Sequence, residues 1–357
     1  MIKIAYIPFS KNNFNKIYDL RNILLYAKLK KINIEIYDKK KDYDIVILPP
    51  SYDPTDETIF KKNHKVIYQL VDNYLSEKTF SVKNMLRGII NFLSGKGKKM
   101  TLNYKYHQEK ICRLSDGVIC SSSEQKKKIV KLNANCHIFF EGNFHICNSS
   151  LKINKSNKIN LIWEGRAENI NGFKEFVKAF DILSKKFDIN LHIVTDLTYP
   201  FLSGLFYRPT HNNIKKIFKK HFSFNTVVKD SNIYLYQWNK ATISNIIQAC
   251  DIAIIPLDTK NNFLFGKSMN KLIVFWRNNI PTLCSGVRSY YEISKEVNLD
   301  ICCDNTNDWV NKISKLATNE VYYKHQKDII SKYIKENYSE KSFINQWDNL
   351  IRSTLNE

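Results

Sequence analysis

Residues 159–172 read INLIWEGRAENING, and the fold turns on them. Residues 159–163 are a short apolar run of strand length. Glu164-Gly165-Arg166 is its polar exit, and Asn171-Gly172 leads into a helix expected over 173–187. The alternation continues outward. Strands are predicted at 190–194, 233–236, 252–256 and 281–284, with helices at 243–249 and 268–276. Before this stretch, 148–158 (NSSLKINKSNK) is polar and reads as a linker.

The residues N-terminal to that linker show the same pattern. Residues 2–7 (IKIAYI), 32–37, 43–48 (YDIVIL), 65–70 (KVIYQL) and 117–120 (GVIC) read as strands. Ile17, Leu20, Ile23, Leu24 and Ala27 predict one helix over 15–30. Short β-branched runs between helical stretches predict a parallel sheet with helices on both faces. The expected organisation is therefore α/β: a Rossmann-like domain over 1–150 and a second over 151–337. An amphipathic helix containing Trp347, within 338–357, is expected to pack back on the first domain. Two doubly wound halves make a cleft, with ligands beyond the carboxyl ends of the strands.

Composition narrows the classes. The chain has 357 residues, long for a single core, with 43% hydrophobic residues, 10 Gly and 8 Pro, which excludes collagen-like and linker chains. Lys and Arg number 55 against 34 Asp and Glu, a net charge of +21. Two readings stand. One is genome bias, since Lys, Asn and Ile abound throughout; the other is an acidic partner, phosphate, anionic membrane or nucleic acid. The 8 Cys form no CxxC pair, Cys250 and Cys284 read as buried, and adjacent Cys302 and Cys303 suit neither a disulfide nor a zinc knuckle. The opening MIKIAYIPFS reads as a strand rather than a signal peptide, and no run is long enough to span a membrane. A reduced, cytoplasmic setting is expected.

Two constellations suit phosphate. In Glu164-Gly165-Arg166, Gly165 lets phosphate approach the backbone and Arg166 offers a planar fork; the bland alternative is a solvated arginine. In Gly266-Lys267-Ser268-Met269-Asn270-Lys271, a helix start supplies amides, Ser268 and Asn270 hydrogen bonds, and Lys267 and Lys271 charge. Its alternative is a Ser N-cap beside surface lysines. It is not a P-loop, because Asn261 stands where that motif needs Gly. Asp42-Tyr43-Asp44 is formally DxD but precedes its strand, so no metal is expected. Residues 81–113 hold eight Lys or Arg against one acid, Glu109, interleaved with Met85, Leu86, Ile89, Ile90, Phe92 and Leu93. That pattern fits a basic amphipathic helix on anionic lipid, or a lid packed on the first domain.

The order DGVICSS (116–122), EGR then Gly172 and a helix, IYLYQW (233–238), ACDIAIIPL (249–257), KSMNKL (267–272) and NNIPTLCSG (278–286) resembles the GT-B glycosyltransferases. The group-one or family-four-like enzymes of bacterial surface polysaccharides are the nearest in pattern. The resemblance implies a GT-B fold and a nucleotide-sugar donor in the C-terminal domain, with Arg166 on its diphosphate beside Gly165, Lys267, Ser268, Asn270 and Lys271. Where the family often has Lys-Gly, this chain has Asn171-Gly172, with Lys174 or Lys267 as substitutes. The family's Glu-x7-Glu element falls at 262–271, which holds no Glu; Ser268 and Asn270 stand as polar replacements. On the acceptor side, Asp72 follows a strand and is the candidate to orient or deprotonate the acceptor, or caps a helix. Ser122 borders the acceptor or caps the next helix, Glu141 borders acceptor or hinge, and His145 reads as a satisfied polar residue. The implied activity is metal-independent glycosyl transfer, without a further cofactor, to a surface glycan, lipid-linked in the favoured reading, on the inner face of the cytoplasmic membrane. The alternatives are a nucleotide-sugar epimerase on the same fold and a nucleic-acid-binding protein. The latter lacks an RNP-like strand, zinc ligands and a helix-turn-helix signature.

Overall fold

The computed structural model describes residues 2–9, 16–71, 73–76, 82–95, 97–146, 158–201, 206–219, 232–260 and 266–356. The chain forms two compact units. One comprises Met1–Gly142, Phe265–Ser268 and Tyr338–Glu357; the other comprises Asn143–Leu264 and Met269–Asn337. Apart from Lys158, the expected linker lies outside the described residues.

In the first unit β1 (Ile4–Tyr6), β2 (Ile34–Ile36), β3 (Ile45–Leu48), β4 (Lys65–Gln69), β5 (Gly117–Cys120) and β6 (Cys136–Ile138) form a six-stranded parallel sheet of order β2-β1-β3-β4-β5-β6. Every residue of β3 and β5 is buried, as a sheet covered on both faces requires. The helix expected over 15–30 is two, α1 (Lys16–Arg21) and α2 (Ile23–Lys30). Buried Asn22 breaks it at φ −123°, and its Nδ2 donates to the Tyr18 carbonyl at 3.0 Å, a side-chain bond that competes with helix continuation. The basic stretch 81–113 likewise holds two helices, α3 (Val82–Leu93) and α4 (Tyr104–Leu114), followed by α5 (Ser123–Ile129).

In the second unit β7 (Ile159–Glu164) opens a six-stranded parallel sheet with β8 (Ile189–Thr195). A separate antiparallel hairpin, β9 (Thr198–Phe201) and β10 (Phe206–Pro209), follows β8. The sheet continues with β11 (Asn232–Gln237), β12 (Ile252–Ile255), β13 (Thr282–Ser285) and β14 (Cys302–Cys303), in the order β11-β8-β7-β12-β13-β14. Its helices are α6 (Phe173–Lys186), α7 (Thr210–Ile217), α8 (Ile243–Gln248), α9 (Asn270–Arg277), α10 (Arg288–Glu296), α11 (Thr306–Thr318) and α12 (Glu320–Asn337). Phe173, Phe176, Phe180 and Leu183 recur at helical spacing and form the buried stripe of α6. Phe176 meets Trp309 edge-on at 5.2 Å, which joins α6 to α11. Cys302 and Cys303 are adjacent because both are buried in β14.

The last helix, α13 (Glu340–Leu355), belongs to the first unit. Trp347 is fully buried, stacked on Tyr26 at 5.6 Å and edge-on to Phe139 at 5.0 Å, and Tyr26 OH donates to Asp348 at 2.7 Å.

One device recurs at the strand entries. Asp44, Asp116 and Asp251 each stand one residue ahead of a central strand. Each carboxylate accepts the amide of its cross-strand neighbour, Lys3 at 2.6 Å, Val66 at 2.8 Å and Asn160 at 2.9 Å. Each aspartate amide donates back to that neighbour's carbonyl, at 2.9, 2.8 and 2.8 Å. The pairs fix register, and they account for Asp44 of the formal DxD as a strand clamp.

Candidate functional site

The strand-exit turn of the second unit is built on two glycines. A Cβ on Gly172 would collide with the backbone carbonyl of Pro256, so only glycine lets the start of α6 close on the exit of β12. A Cβ on Gly165 would meet Lys271 Nζ and the Trp163 ring, so its absence leaves room for the lysine. Lys271 Nζ donates to the Glu164 carbonyl at 2.8 Å and lies 4.9 Å from the Trp163 ring centroid, a cation–π distance. Arg166 begins the 3-10 turn Ala167–Gly172 with no side-chain cap, and its guanidinium pairs with Glu168 at 2.9 Å while 76% exposed. Gly165, Arg166 and Lys271 thus converge at one strand end.

Helix α9 starts at Asn270 beside this turn, two residues later than expected, and Met269 takes the N-cap position without a side-chain bond. Ser268 is therefore not its cap. Lys267 and Ser268 belong to the first unit, Asn270 and Lys271 to the second.

In the first unit the exits of β4 and β5 form a closed polar cluster. Ser122 Oγ caps α5, accepting the Gln125 amide at 3.3 Å, and donates to the Gly266 carbonyl at 3.1 Å. Gln125 Oε1 accepts from the Ser121 amide at 2.7 Å, and Gln125 Nε2 and Ser121 Oγ both donate to the Val71 carbonyl at 2.8 Å. Ser122 is thus a helix cap. Asp72 lies outside the described residues, although Val71 and buried Asn73 flank it. Glu141 lies apart from this cluster, paired with Arg21 at 3.6 Å.

Lys174 lines a cavity with Asn171, Val177, Asn213, Lys216 and Ile217, between α6 and α7. Only Asn171 and Lys174 of that lining were singled out from the sequence. Along α3, Leu86 is 51% and Leu93 77% exposed, while Lys98, Lys110 and Arg113 pair with Asp56, Glu57 and Glu109. Among the described residues no group of three His, Cys, Asp or Glu gathers to hold a metal, and no helix is long and apolar enough to cross a membrane.

No family model and no curated protein matches the sequence. Solved structures match the fold. TarM superposes with a TM-score of 0.56 at 15% identity, over 86% of this chain and 54% of TarM, so the chain spans about half of TarM's length. The fold is GT-B. A mutant of the S. aureus TarM has been solved with fondaparinux, alpha-GlcNAc-glycerol and UDP. A glycosyltransferase from Rickettsia africae gives 0.56 at 14% identity, over 97% of this chain and 83% of that one. A Listeria monocytogenes protein assigned as a UDP-N-acetylglucosamine 2-epimerase gives 0.54 at 10%, over 99% and 97%. The GT-B fold expected from the motifs between residues 116 and 286 is the fold found.

Proposed function

We propose that the protein is a metal-independent glycosyltransferase. It moves a sugar from a nucleotide-sugar donor to a growing, lipid-linked surface glycan, such as an O-antigen, lipooligosaccharide or capsule chain. The observation that carries this reading is the convergence of Gly165, Arg166 and Lys271 at the strand exit of the second unit. In the reaction the anomeric carbon loses its bond to the donor diphosphate and gains one to the acceptor oxygen, whose proton passes to a base. Negative charge grows on the departing diphosphate. Arg166 and Lys271 neutralise it, aided by Lys267, Ser268, Asn270 and the uncapped start of α9, while the missing side chain of Gly165 makes room for Lys271. Asp72 is proposed to orient the acceptor hydroxyl and take its proton. TarM, whose fold is similar, binds UDP, which supports a nucleotide-sugar donor.

The exposed apolar side chains of α3 support peripheral binding to the inner membrane face, driven more by apolar contact than by the paired cations Lys98, Lys110 and Arg113. Flotation with anionic vesicles and no flotation for an Leu86→Asp, Leu93→Asp variant is the expected result.

The Listeria likeness keeps an epimerase as the second reading. A thermal-shift panel of UDP, GDP, CMP and dTDP ligands identifies the donor class. Nucleotide release that requires a glycan acceptor supports transfer. Conversion of the nucleotide sugar to its epimer with no acceptor present overturns it.

A further inference from the structure

We infer that the cavity between α6 and α7, which takes Asn171 from the end of the donor turn into its lining, is a binding site for a sugar phosphate. Its volume is about 340 Å³, near the lower end for ligand pockets and enough for one monosaccharide. Its lining among the described residues is Asn171, Lys174, Val177, Asn213, Lys216 and Ile217, so the ionisable groups it shows there are two lysines from different helices and no acid. Neither Lys174 nor Lys216 has a carboxylate partner among the described residues, whereas Lys98, Lys110 and Lys312 each have one. Two ammonium groups on one cavity repel, and an anion held between them removes that cost.

The rest of the lining matches a sugar ring. Asn171 and Asn213 present amides of the kind that bind hydroxyls, and Val177 and Ile217 present aliphatic surface for the ring's C–H face. Asn213 is also oriented from outside the cavity: its Nδ2 donates to Tyr199 OH on β9 at 2.6 Å. The base of that hairpin is tied down in turn, with the Thr210 amide donating to the Leu197 carbonyl at 2.8 Å and the Leu197 amide to Gln237 at 3.1 Å. The rim is therefore held before a ligand arrives.

A larger cavity of about 620 Å³ sits at the strand entries of the same unit, and its chemistry differs. Asp251 and Glu320 line it along with its lysines, and Lys158 and Lys324 pair with Asp188 at 3.1 Å and Glu320 at 2.7 Å. Two of its three lysines are thus compensated by carboxylates, unlike the pair in the smaller cavity.

Calorimetric titration of the full chain at low salt with glucose 6-phosphate, glucose and inorganic phosphate tests the inference without reference to transfer activity. Saturable binding of glucose 6-phosphate is expected, about tenfold or more tighter than either partial ligand, since charged and neutral contacts are both lost from one or the other. Lys216→Gln is expected to weaken glucose 6-phosphate about tenfold with the melting temperature unchanged, and Lys174→Gln to do the same. Absence of glucose 6-phosphate binding, equal affinity for glucose or phosphate alone, or undiminished binding in both variants overturns the assignment.

Discussion

The two units end their strands in opposite ways. At the exits of β4 and β5, Ser121, Ser122 and Gln125 spend their polar atoms on one another and on the carbonyls of Val71 and Gly266. At the exit of β7, Arg166 stands 76% exposed with Glu168 as its ion partner among the described residues. Polar groups satisfied within the protein hold loops in place; cations left toward solvent at a strand's carboxyl end create a field that a bound anion completes. In the function proposed above, the first cluster is scaffolding and the second binds the donor.

Arg166→Ala attacks that distinction with the largest expected effect. Turnover should fall by roughly 10²–10³, the loss typical of one group that stabilises developing charge. The melting temperature should barely move, because an exposed pair such as Arg166–Glu168 contributes about 0–1 kcal/mol. Arg166→Lys should recover only part of the rate, since a point charge replaces a planar fork. Turnover equal to wild type would make the turn scaffolding, like its counterpart in the first unit.

Gly172→Ala tests the rigidity beneath the same turn. The new methyl would strike the Pro256 carbonyl, which belongs to the backbone and has no rotamer to escape into. A cost of about 1–3 kcal/mol is expected, as for other overpacked sites, read as a lower urea midpoint with unchanged slope. An unaltered midpoint would mean that the turn yields, and that Arg166 is not held in place.

What the sequence made legible follows from this physics. Strands buried on both faces leave continuous apolar letters, so β3, β4, β5, β7 and β12 could be read directly. The break at Asn22 was hidden, because the apolar spacing runs on through it while the side-chain bond to Tyr18 is invisible in a linear pattern. The β9–β10 hairpin gave no signal of either period: Phe206 and Tyr207 are 61% and 68% exposed, so apolar letters there do not mark a core. Ser122 could be suspected as a cap, but its partner Gly266 lies 144 residues further on. Lys216 acquires meaning only once α7 is placed beside α6.

Ser122→Ala sharpens the comparison from the scaffolding side. Losing the cap of α5 and the bond to Gly266 should cost about 1 kcal/mol, measured as a shift in urea midpoint. A fall in turnover far beyond the loss of folded protein would return Ser122 to the acceptor site.

The strand entries offer the finest contrast and the smallest expected effect. Asp116 is matched by a cation, Lys65 at 3.0 Å, and Asn160, the partner of the Asp251 clamp, leads on into a network of neutral side chains. Asn160 Oδ1 there accepts from Asn190 Nδ2 at 2.9 Å and lies 3.2 Å from His192 Nε2, while His192 Nδ1 lies 3.0 Å from Tyr236 OH. Neutral His192 fits both contacts, donating from Nε2 and accepting at Nδ1; a second proton removes the acceptor. Burial lowers its pKa from the ordinary 6.5, against a weaker opposing pull from Asp251. The unfolded chain therefore takes up this proton first as pH falls. The neutral network's contribution is present above about pH 6.5 and is lost progressively below it, toward the lower folded value. His64, His107 and His137 of the first unit are lowered by burial too, so the wild-type slope sums over both units. His192→Gln should flatten that slope between about pH 7 and pH 5.5 without abolishing it, whatever its effect on stability at neutral pH. Urea midpoints of both proteins across that range decide the matter, and parallel slopes would show that His192 titrates in the folded chain as it does in the unfolded one.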